Sequence, residues 1–119
     1  MKIVVTCYDL LSDIEQNYLC DASAFENGHI VYEYDGICYK IMVRDDAVLL
    51  SVKYGDSFTR LYAKNGKGKA VVSNEFGKME LDLMIIDHRF SDNCVSIEYK
   101  LLLDDSVTSH FRYVWKGSV

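Results

Sequence analysis

Turn-forming residue pairs interrupt the chain at short intervals, and this spacing leaves room for strands but not for long helices. Asn27-Gly28 and Asp35-Gly36 are pairs preferred by tight hairpins, because both central residues of such turns adopt positive φ. Nine turn candidates of this kind predict about ten strands, at the spacing typical of a sandwich or a barrel. The predicted strands span residues 2–10, 15–25, 29–35, 37–44, 47–54, 58–63, 69–74, 78–90, 94–103 and 107–116.

The composition supports an all-β chain. Of the 119 residues, 38 are β-branched or aromatic, and these types suit the pleated, half-buried surface of a sheet. Asp outnumbers Glu by 12 to 6, which favours turns over helices because the short Asp carboxylate bonds its own backbone. The chain has no proline, as expected where most backbone N–H groups take part in strand pairing.

Alternation of apolar and polar residues assigns one face of each strand to a core. In the last predicted strand, Val107, Ser109, Phe111, Tyr113 and Trp115 share one face. Applied to the other strands, the same reasoning predicts a common buried cluster of Ile41, Val48, Leu50, Leu101, Leu103, Phe111 and Tyr113.

Short connections predict that successive strands pair as antiparallel hairpins. A sheet of this kind has two exposed edges unless it closes on itself. We therefore expect a single domain over residues 1–119, an antiparallel up-and-down β-barrel of about 8–10 strands, closed by pairing of 2–10 with 107–116. A sandwich with Greek-key crossings is the alternative, but it needs a longer connection than the sequence offers.

Charge and hydropathy limit the partners and the compartment. A net charge of −5 and a pI near 5.0 argue against a nucleic-acid-binding surface. Because no signal peptide or long apolar run is evident, we expect a cytoplasmic protein without a membrane span. The four cysteines have no metal-site spacing, so we predict free thiols, although Cys7 and Cys20 could face each other across the first hairpin.

Catalytic motifs are not evident. His29, His88 and His110 are isolated in sequence, and the last two are expected on exposed faces. The pairs Asp45-Asp46 and Asp104-Asp105 are best explained as solvated turn residues, since such short loops supply too few oxygens for calcium. We predict no catalytic residue, metal or cofactor, and an enzyme is the least favoured class.

One stretch resembles a known family. The segment 71–83, with its Phe76-Gly77 turn, followed by the strands 94–103 and 107–115 and by Lys116-Gly117, resembles the C-terminal half of the YwiB-like family. These are small bacterial proteins of unknown function, similar in fold to lipocalins and other calycin barrels. The resemblance implies a calycin-like barrel and, by analogy with such barrels, a ligand in the interior.

Two functional hypotheses follow, with different uses of the barrel. The first is a non-catalytic module that binds a small apolar, amphipathic or carboxylate ligand. Arg60 shares one face of its strand with Phe58 and Tyr62, and if that face points inward, Arg60 would anchor a carboxylate. The predicted ligand-binding residues are Phe58, Arg60, Tyr62, Tyr99, Tyr113 and Trp115, with Trp115 at the rim. In the alternative, Arg60 faces solvent and Leu61 faces inward. The second hypothesis is an interaction or structural module with a filled barrel, compatible with a homodimer.

Overall fold

Ten antiparallel strands form a closed barrel in the computed structural model, which describes residues 1–118. The strands are β1 (Lys2–Asp9), β2 (Ile14–Glu26), β3 (His29–Tyr34), β4 (Ile37–Val43), β5 (Ala47–Tyr54), β6 (Ser57–Lys64), β7 (Lys67–Asn74), β8 (Gly77–Phe90), β9 (Cys94–Leu103) and β10 (Ser106–Gly117). Each strand pairs with the next one along the chain, and β1 pairs with β10 to complete the wall. The predicted all-β, up-and-down architecture is thus confirmed, including its closing pair.

The short connections follow the turn chemistry expected from the sequence. Asn27 and Asp35 adopt φ of 51° and 52°, and Gly28 and Gly36 follow them at 79° and 78°. Positive φ at both central residues is the geometry of tight hairpins, whose twist matches that of the flanking strands. Every connection therefore reverses the chain within a few residues.

Because the strands alternate in direction, their connections divide between two ends of the barrel. We call the end that carries the β1–β2, β3–β4, β5–β6, β7–β8 and β9–β10 connections the mouth end. The opposite end carries the other four connections, and we call it the closed end.

Three β-bulges shift the register within the longest strands. They lie between Ala22 and Ala24 in β2, between Ile85 and Asp87 in β8, and between Val107 and Ser109 in β10. Each bulge adds one residue to its strand and reverses the facing of the residues beyond it. The predicted five-residue face of β10 is therefore wrong at Val107, which is exposed, although it holds from Ser109 to Trp115.

The core lies in the half of the barrel nearer the closed end. Ten inward-facing side chains there are 1% exposed or less: Ile3, Val5, Ile30, Ile41, Val43, Ala63, Ala70, Val95, Ile97 and Trp115. Of the predicted cluster, Ile41, Val48, Leu50 and Leu101 are buried, whereas Phe111 and Tyr113 are only partly buried against the core. Leu103 is 45% exposed because it ends β9 at the mouth end, so its predicted burial is wrong.

Candidate functional site

The interior of the barrel opens toward the mouth end. Along the inward face of β3, exposure rises from 0% at Ile30 to 3% at Tyr32 and 39% at Tyr34. On the far side of the barrel, β8 shows the same trend, since Leu81 is 8% exposed and Met79, nearer the mouth, is 49% exposed. Inward-facing side chains can be partly exposed in a closed barrel only if solvent reaches them from an end. The candidate site is therefore the half of the interior nearer the mouth end, where solvent reaches the inward-facing side chains; we call it the open half.

A cluster of five tyrosines lines this open half. Its members face inward from β2, β3, β4, β9 and β10, which together with β1 form one continuous part of the wall; we call Tyr18, Tyr32, Tyr39, Tyr99 and Tyr113 the tyrosine cluster. Inward facing follows from the register, which pairs Tyr32 with Tyr39 across neighbouring strands. Six adjacent strands thus give the interior one aromatic side.

Hydrogen bonds and ring stacking fix the deeper part of the tyrosine cluster. The Trp115 indole N–H donates to the Tyr32 hydroxyl at 3.1 Å, and the hydroxyls of Tyr32 and Tyr18 lie 2.9 Å apart. The rings of Tyr32 and Tyr39 are nearly parallel, with centroids 4.6 Å apart. Nearer the mouth, Tyr34 stacks on Tyr18 at 3.9 Å. These contacts hold the rings in defined positions that a ligand would find already arranged.

The Tyr99 hydroxyl has no hydrogen-bond partner among residues 1–118. Its side chain is only 6% exposed, and its ring lies beside those of Phe111 and Tyr113. The hydroxyl oxygen nevertheless keeps some accessible surface, since no buried side-chain oxygen in this part of the chain is left unbonded. A polar group that no protein group satisfies bonds to water or to another molecule that reaches it, so this hydroxyl is a candidate contact for water or a ligand.

Burial keeps the phenols of the tyrosine cluster protonated. It raises the pKa of Tyr18, Tyr99 and Tyr113 above the usual value for tyrosine, because the interior disfavours the phenolate. Burial likewise raises the pKa of the Cys7 thiol, which pairs with Tyr113 across β1 and β10. The site therefore presents neutral hydroxyl donors and a thiol with little thiolate character.

The other side of the open half carries small and aliphatic side chains. Val52, Thr59 and Val72 face inward from β5, β6 and β7, and Met79 faces inward from β8. Among the inward-facing positions of the ten strands, none is a lysine or an arginine. Nothing inside the described barrel therefore offers a fixed positive charge to a carboxylate.

The predicted ligand-binding residues lie on opposite sides of the wall. Tyr99 and Tyr113 face the interior as required, but Arg60 is exposed on the outer face of β6. Phe58 and Tyr62 share that outer face, while Leu61 faces inward and is buried. The condition for Arg60 as a carboxylate anchor, that its face of the strand points inward, is therefore not met, and the alternative stated for Arg60 describes the structure.

Trp115 also occupies a different place from the one expected. It is completely buried, and its ring stacks on Tyr113 with centroids 5.3 Å apart. On β10 it lies nearer the closed end than Tyr113, so it forms the floor of the open half rather than its rim. Side chains at the rim include Tyr34 and Met79, which alternation alone did not single out.

The histidines are more engaged than expected. His88 lies beyond the β8 bulge, is partly buried and hydrogen-bonds the Asp45 carbonyl oxygen at 3.1 Å. His110 contacts the Glu98 carboxylate at 3.0 Å on the outside of the barrel. Within residues 1–118, no three His, Cys, Asp or Glu side chains converge on a point where they would hold a metal. Cys7 and Cys20 do not face each other, because Cys7 pairs with Gln16 and Cys20 with Ile3.

Open concavities on the outer surface are poorer candidate sites. One of about 590 Å³ is bordered by Arg89, Arg112 and other residues of β8, β9 and β10. Two of its three cations already have partners, since Arg89 contacts Asp87 at 3.2 Å and Arg112 lies over the ring of Tyr8, while the third, Lys116, is exposed. Exposed ion pairs of this kind contribute little and are screened by salt. The interior site is the stronger candidate, because its aromatic rings are held in fixed positions and its Tyr99 hydroxyl has no partner among residues 1–118.

Sequence reasoning missed Tyr18, Tyr32 and Tyr39 as site residues. Tyr39 alternates with Ile37 and Ile41 in the sequence, and all three share the inward face of β4. The signal available was the content of nine tyrosines, concentrated in strands that the closing pair brings together. Without the barrel order, tyrosines from both ends of the sequence could not be assigned to one side of the interior.

The fold and its open end define a ten-stranded up-and-down barrel with an aromatic interior. No family model matches the sequence, and a search of curated proteins finds no match. Among solved structures, the chain is similar to the crystal structure of the YwiB protein from Bacillus subtilis, with a TM-score of 0.65 and 15% sequence identity. The similarity covers 99% of this chain and 91% of that one. The resemblance to the YwiB-like family is thus confirmed for the fold. Residues 1–118 contain no helix long and apolar enough to cross a membrane.

Proposed function

We propose that the protein is a non-catalytic module that binds a small, largely apolar ligand in the open half of its barrel. The observation that carries the proposal is the hydroxyl of the largely buried Tyr99 side chain, which has no hydrogen-bond partner among residues 1–118 and keeps some accessible surface. Ligand pockets are mostly apolar and aromatic, with a few polar groups that orient the bound molecule. Tyr99 would supply that polar group, and the tyrosine cluster would supply the contact surface.

The chemistry of the site favours an uncharged hydrogen-bonding group over a carboxylate at the Tyr99 contact. A buried carboxylate needs a positive partner, and no lysine or arginine faces inward in the described strands. Neutral phenols, whose pKa burial raises, donate well to a hydroxyl or carbonyl oxygen. The analogy with calycin barrels, which hold ligands inside, supports the same use of the interior.

The test uses 1-naphthol, an apolar bicyclic molecule with one hydroxyl, titrated into the native protein and Tyr99→Phe. We expect saturable binding, weakened about tenfold in Tyr99→Phe by loss of one hydrogen bond in a dry site. Tyr62→Phe and Arg60→Leu, on the outer face, should bind like the native protein. Absence of saturable binding, or equal affinity in Tyr99→Phe, would contradict this function.

A second candidate function is interaction through the outer surface, with the interior serving only as a core. The packed half of the barrel, with Trp115 completely buried, is what such a module requires. Native mass spectrometry of protein purified from its own cells separates the two functions. A retained small molecule supports the ligand-binding module, whereas a defined dimer without one supports the interaction module.

The four free cysteines suit a reducing compartment, and we propose that the protein is cytoplasmic. Fractionation of the source cells checks this location.

A further inference from the structure

Acidic residues dominate the connections at the mouth end. The five connections contain six acidic side chains and no lysine or arginine: Asp13, Asp35, Asp56, Glu75, Asp104 and Asp105. All six are exposed. These six residues contribute a charge of −6, which exceeds the net charge of −5 of the whole chain. The remaining residues therefore nearly balance one another in charge. A ring of one sign around an opening attracts ligands of the opposite sign.

Turn geometry alone does not require these charges. Asp13, Asp35, Asp104 and Asp105 adopt positive φ, a conformation that Asp and Asn both tolerate. At the closed end, the two non-glycine residues with positive φ are Asn27 and Asn65. The same backbone requirement is thus met by Asp at the mouth end and by Asn at the closed end. The closed-end connections also hold three acidic residues, Asp45, Asp46 and Asp92, together with Arg44, so the excess of negative charge is larger at the mouth end.

The interior behind this acidic ring is suited to an organic cation. Tyrosine faces carry negative electrostatic potential, and aromatic cages are the usual means of binding quaternary ammonium groups. The tyrosine cluster lines one continuous side of the opening, with Tyr34 stacked on Tyr18 at its outer edge. No lysine or arginine faces inward in the described strands to compete with such a ligand. The unpartnered Tyr99 hydroxyl points independently to a bound molecule in the same space.

A metal ion is a poorer match to the same features. The six carboxylates are distributed over five separate connections, and no cluster of metal-ligating side chains is present in residues 1–118. Hard cations require several oxygens at coordination distance, which dispersed carboxylates do not supply. Carboxylates at the rim act on a ligand over a distance, by raising its local concentration.

We propose that the ligand of the open half is an organic cation, an ammonium group carried on a small apolar or aromatic body. This inference rests on the proposed ligand-binding function and specifies its ligand class. The acidic ring attracts the cation, the tyrosine cluster accepts it by cation–π contact, and the aliphatic side formed by Val52, Val72 and Met79 receives the apolar body.

The experiment compares two molecules of the same shape and different charge, phenyltrimethylammonium and tert-butylbenzene. Binding is followed by the upfield ring-current shift of their methyl protons in NMR spectra. We expect the cation to bind more tightly than its neutral isostere by about tenfold at low salt, because desolvated cation–π contacts and the acidic ring both favour it. The difference should shrink in 0.5 M salt as screening removes the contribution of the ring.

Variants test the ring itself without disturbing the turns. The combined change Asp35→Asn, Asp104→Asn and Asp105→Asn keeps residues that tolerate positive φ and should weaken binding of the cation about fivefold at low salt. The matched control, Asp45→Asn with Asp46→Asn and Asp92→Asn at the closed end, removes the same number of charges and should leave affinity unchanged. Circular dichroism verifies that both variants fold.

The outcomes separate this inference from the function on which it rests. If tert-butylbenzene binds as tightly as the cation, the ligand class is wrong while the binding function stands. If the ring variant and its control bind the cation equally, the role of the acidic ring is wrong. If neither molecule, nor 1-naphthol, binds saturably, both the inference and the proposed function are overturned.

Discussion

The indole nitrogen of Trp115 lies 3.1 Å from the hydroxyl oxygen of Tyr32, and 83 positions of sequence separate the two residues. Trp115 is on β10 and Tyr32 is on β3, so this hydrogen bond spans the two intervening strands of the wall. Both side chains are buried, and the bond satisfies the only polar atom of the indole. It links the floor of the open half to the tyrosine cluster.

Removal of the Tyr32 hydroxyl should destabilise the protein. In Tyr32→Phe the buried Trp115 N–H loses its acceptor, which costs about 1–3 kcal/mol of unfolding free energy. The control is Tyr62→Phe, whose side chain is exposed and should change stability by less than about 0.5 kcal/mol. Urea denaturation of both variants measures the difference, and equal stabilities would show that the bond contributes nothing.

Truncation of two leucines should distinguish the packed half from the mouth. Leu50 is 3% exposed, so Leu50→Ala leaves a cavity and should cost about 2–5 kcal/mol. Leu103→Ala removes the same atoms from a side chain that is 45% exposed and should cost about 1 kcal/mol or less. Thermal and chemical unfolding of both variants check this order, and a larger loss in Leu103→Ala would refute the assignment of the core.

Stability should fall steeply in alkaline solution. Burial raises the pKa of Tyr18, Tyr32, Tyr99 and Tyr113, so above about pH 10 the unfolded chain releases protons that the folded protein retains. The stabilisation is complete below that pH and is lost progressively as the pH rises. Absorbance at 295 nm and circular dichroism should change together. Full ionisation of these phenols in a protein that remains folded would contradict their burial.

A methyl group at Gly68 should not fit the wall. An ideal Cβ there would clash with the Tyr62 carbonyl oxygen and lie 2.6 Å from the Ala63 Cα, and these backbone atoms cannot move away. Gly68→Ala should therefore cost about 3 kcal/mol, at the upper end of overpacking effects. Gly55→Ala is the comparison, because its Cβ would meet open space and cost only about 1–2 kcal/mol through positive φ. Denaturation midpoints rank the two variants, and a smaller loss in Gly68→Ala would disprove the close approach of β6 and β7.

The cysteines should differ in reactivity in the folded protein. Cys38 is exposed, whereas Cys20 is buried and burial raises the pKa of both Cys20 and Cys7. A thiol-specific reagent at neutral pH should modify Cys38 first and leave Cys7 and Cys20 largely unmodified until the protein unfolds. Peptide mass spectrometry assigns the sites, with Cys38→Ser as the control that removes the fast phase. Four reactive thiols should appear in denaturant without reductant.

The strand order was predictable because every structural cue acts between neighbours in sequence. Turn residues such as Asn27-Gly28 determine where the hairpins form. A sheet built from successive hairpins can pair its two exposed edge strands with each other by closing into a barrel. Which side chains point into the barrel was predictable wherever apolar and polar residues alternate without interruption, as in β9. The prediction failed beyond the bulges, at Val107 and His88, because an inserted residue reverses facing without leaving a clear mark in composition.

The site was only partly predictable because both faces of some strands are apolar. In β6, Phe58 and Tyr62 are larger than Leu61 and Ala63, yet the smaller pair faces inward. Near the closed end of this side, Ala63 lies opposite Gly68, where the close approach of β6 and β7 leaves no room for a Cβ at Gly68. Packing across the barrel therefore decides the facing of Arg60, and local alternation contains no information about the opposite wall.

The pairing of β1 with β10 has a consequence for how the barrel folds, unfolds and misassembles. Nine of the ten strand contacts join consecutive strands, and only this seam, from Ile3 opposite Gly117 to Asp9 opposite Phe111, joins strands distant in sequence. Hairpins form quickly, whereas a contact across nearly the whole chain bears the largest loop-closure entropy. We expect the seam to close last and to open first. An opened seam exposes two strand edges at once, each able to pair with another chain, so domain-swapped or aggregated species should originate there.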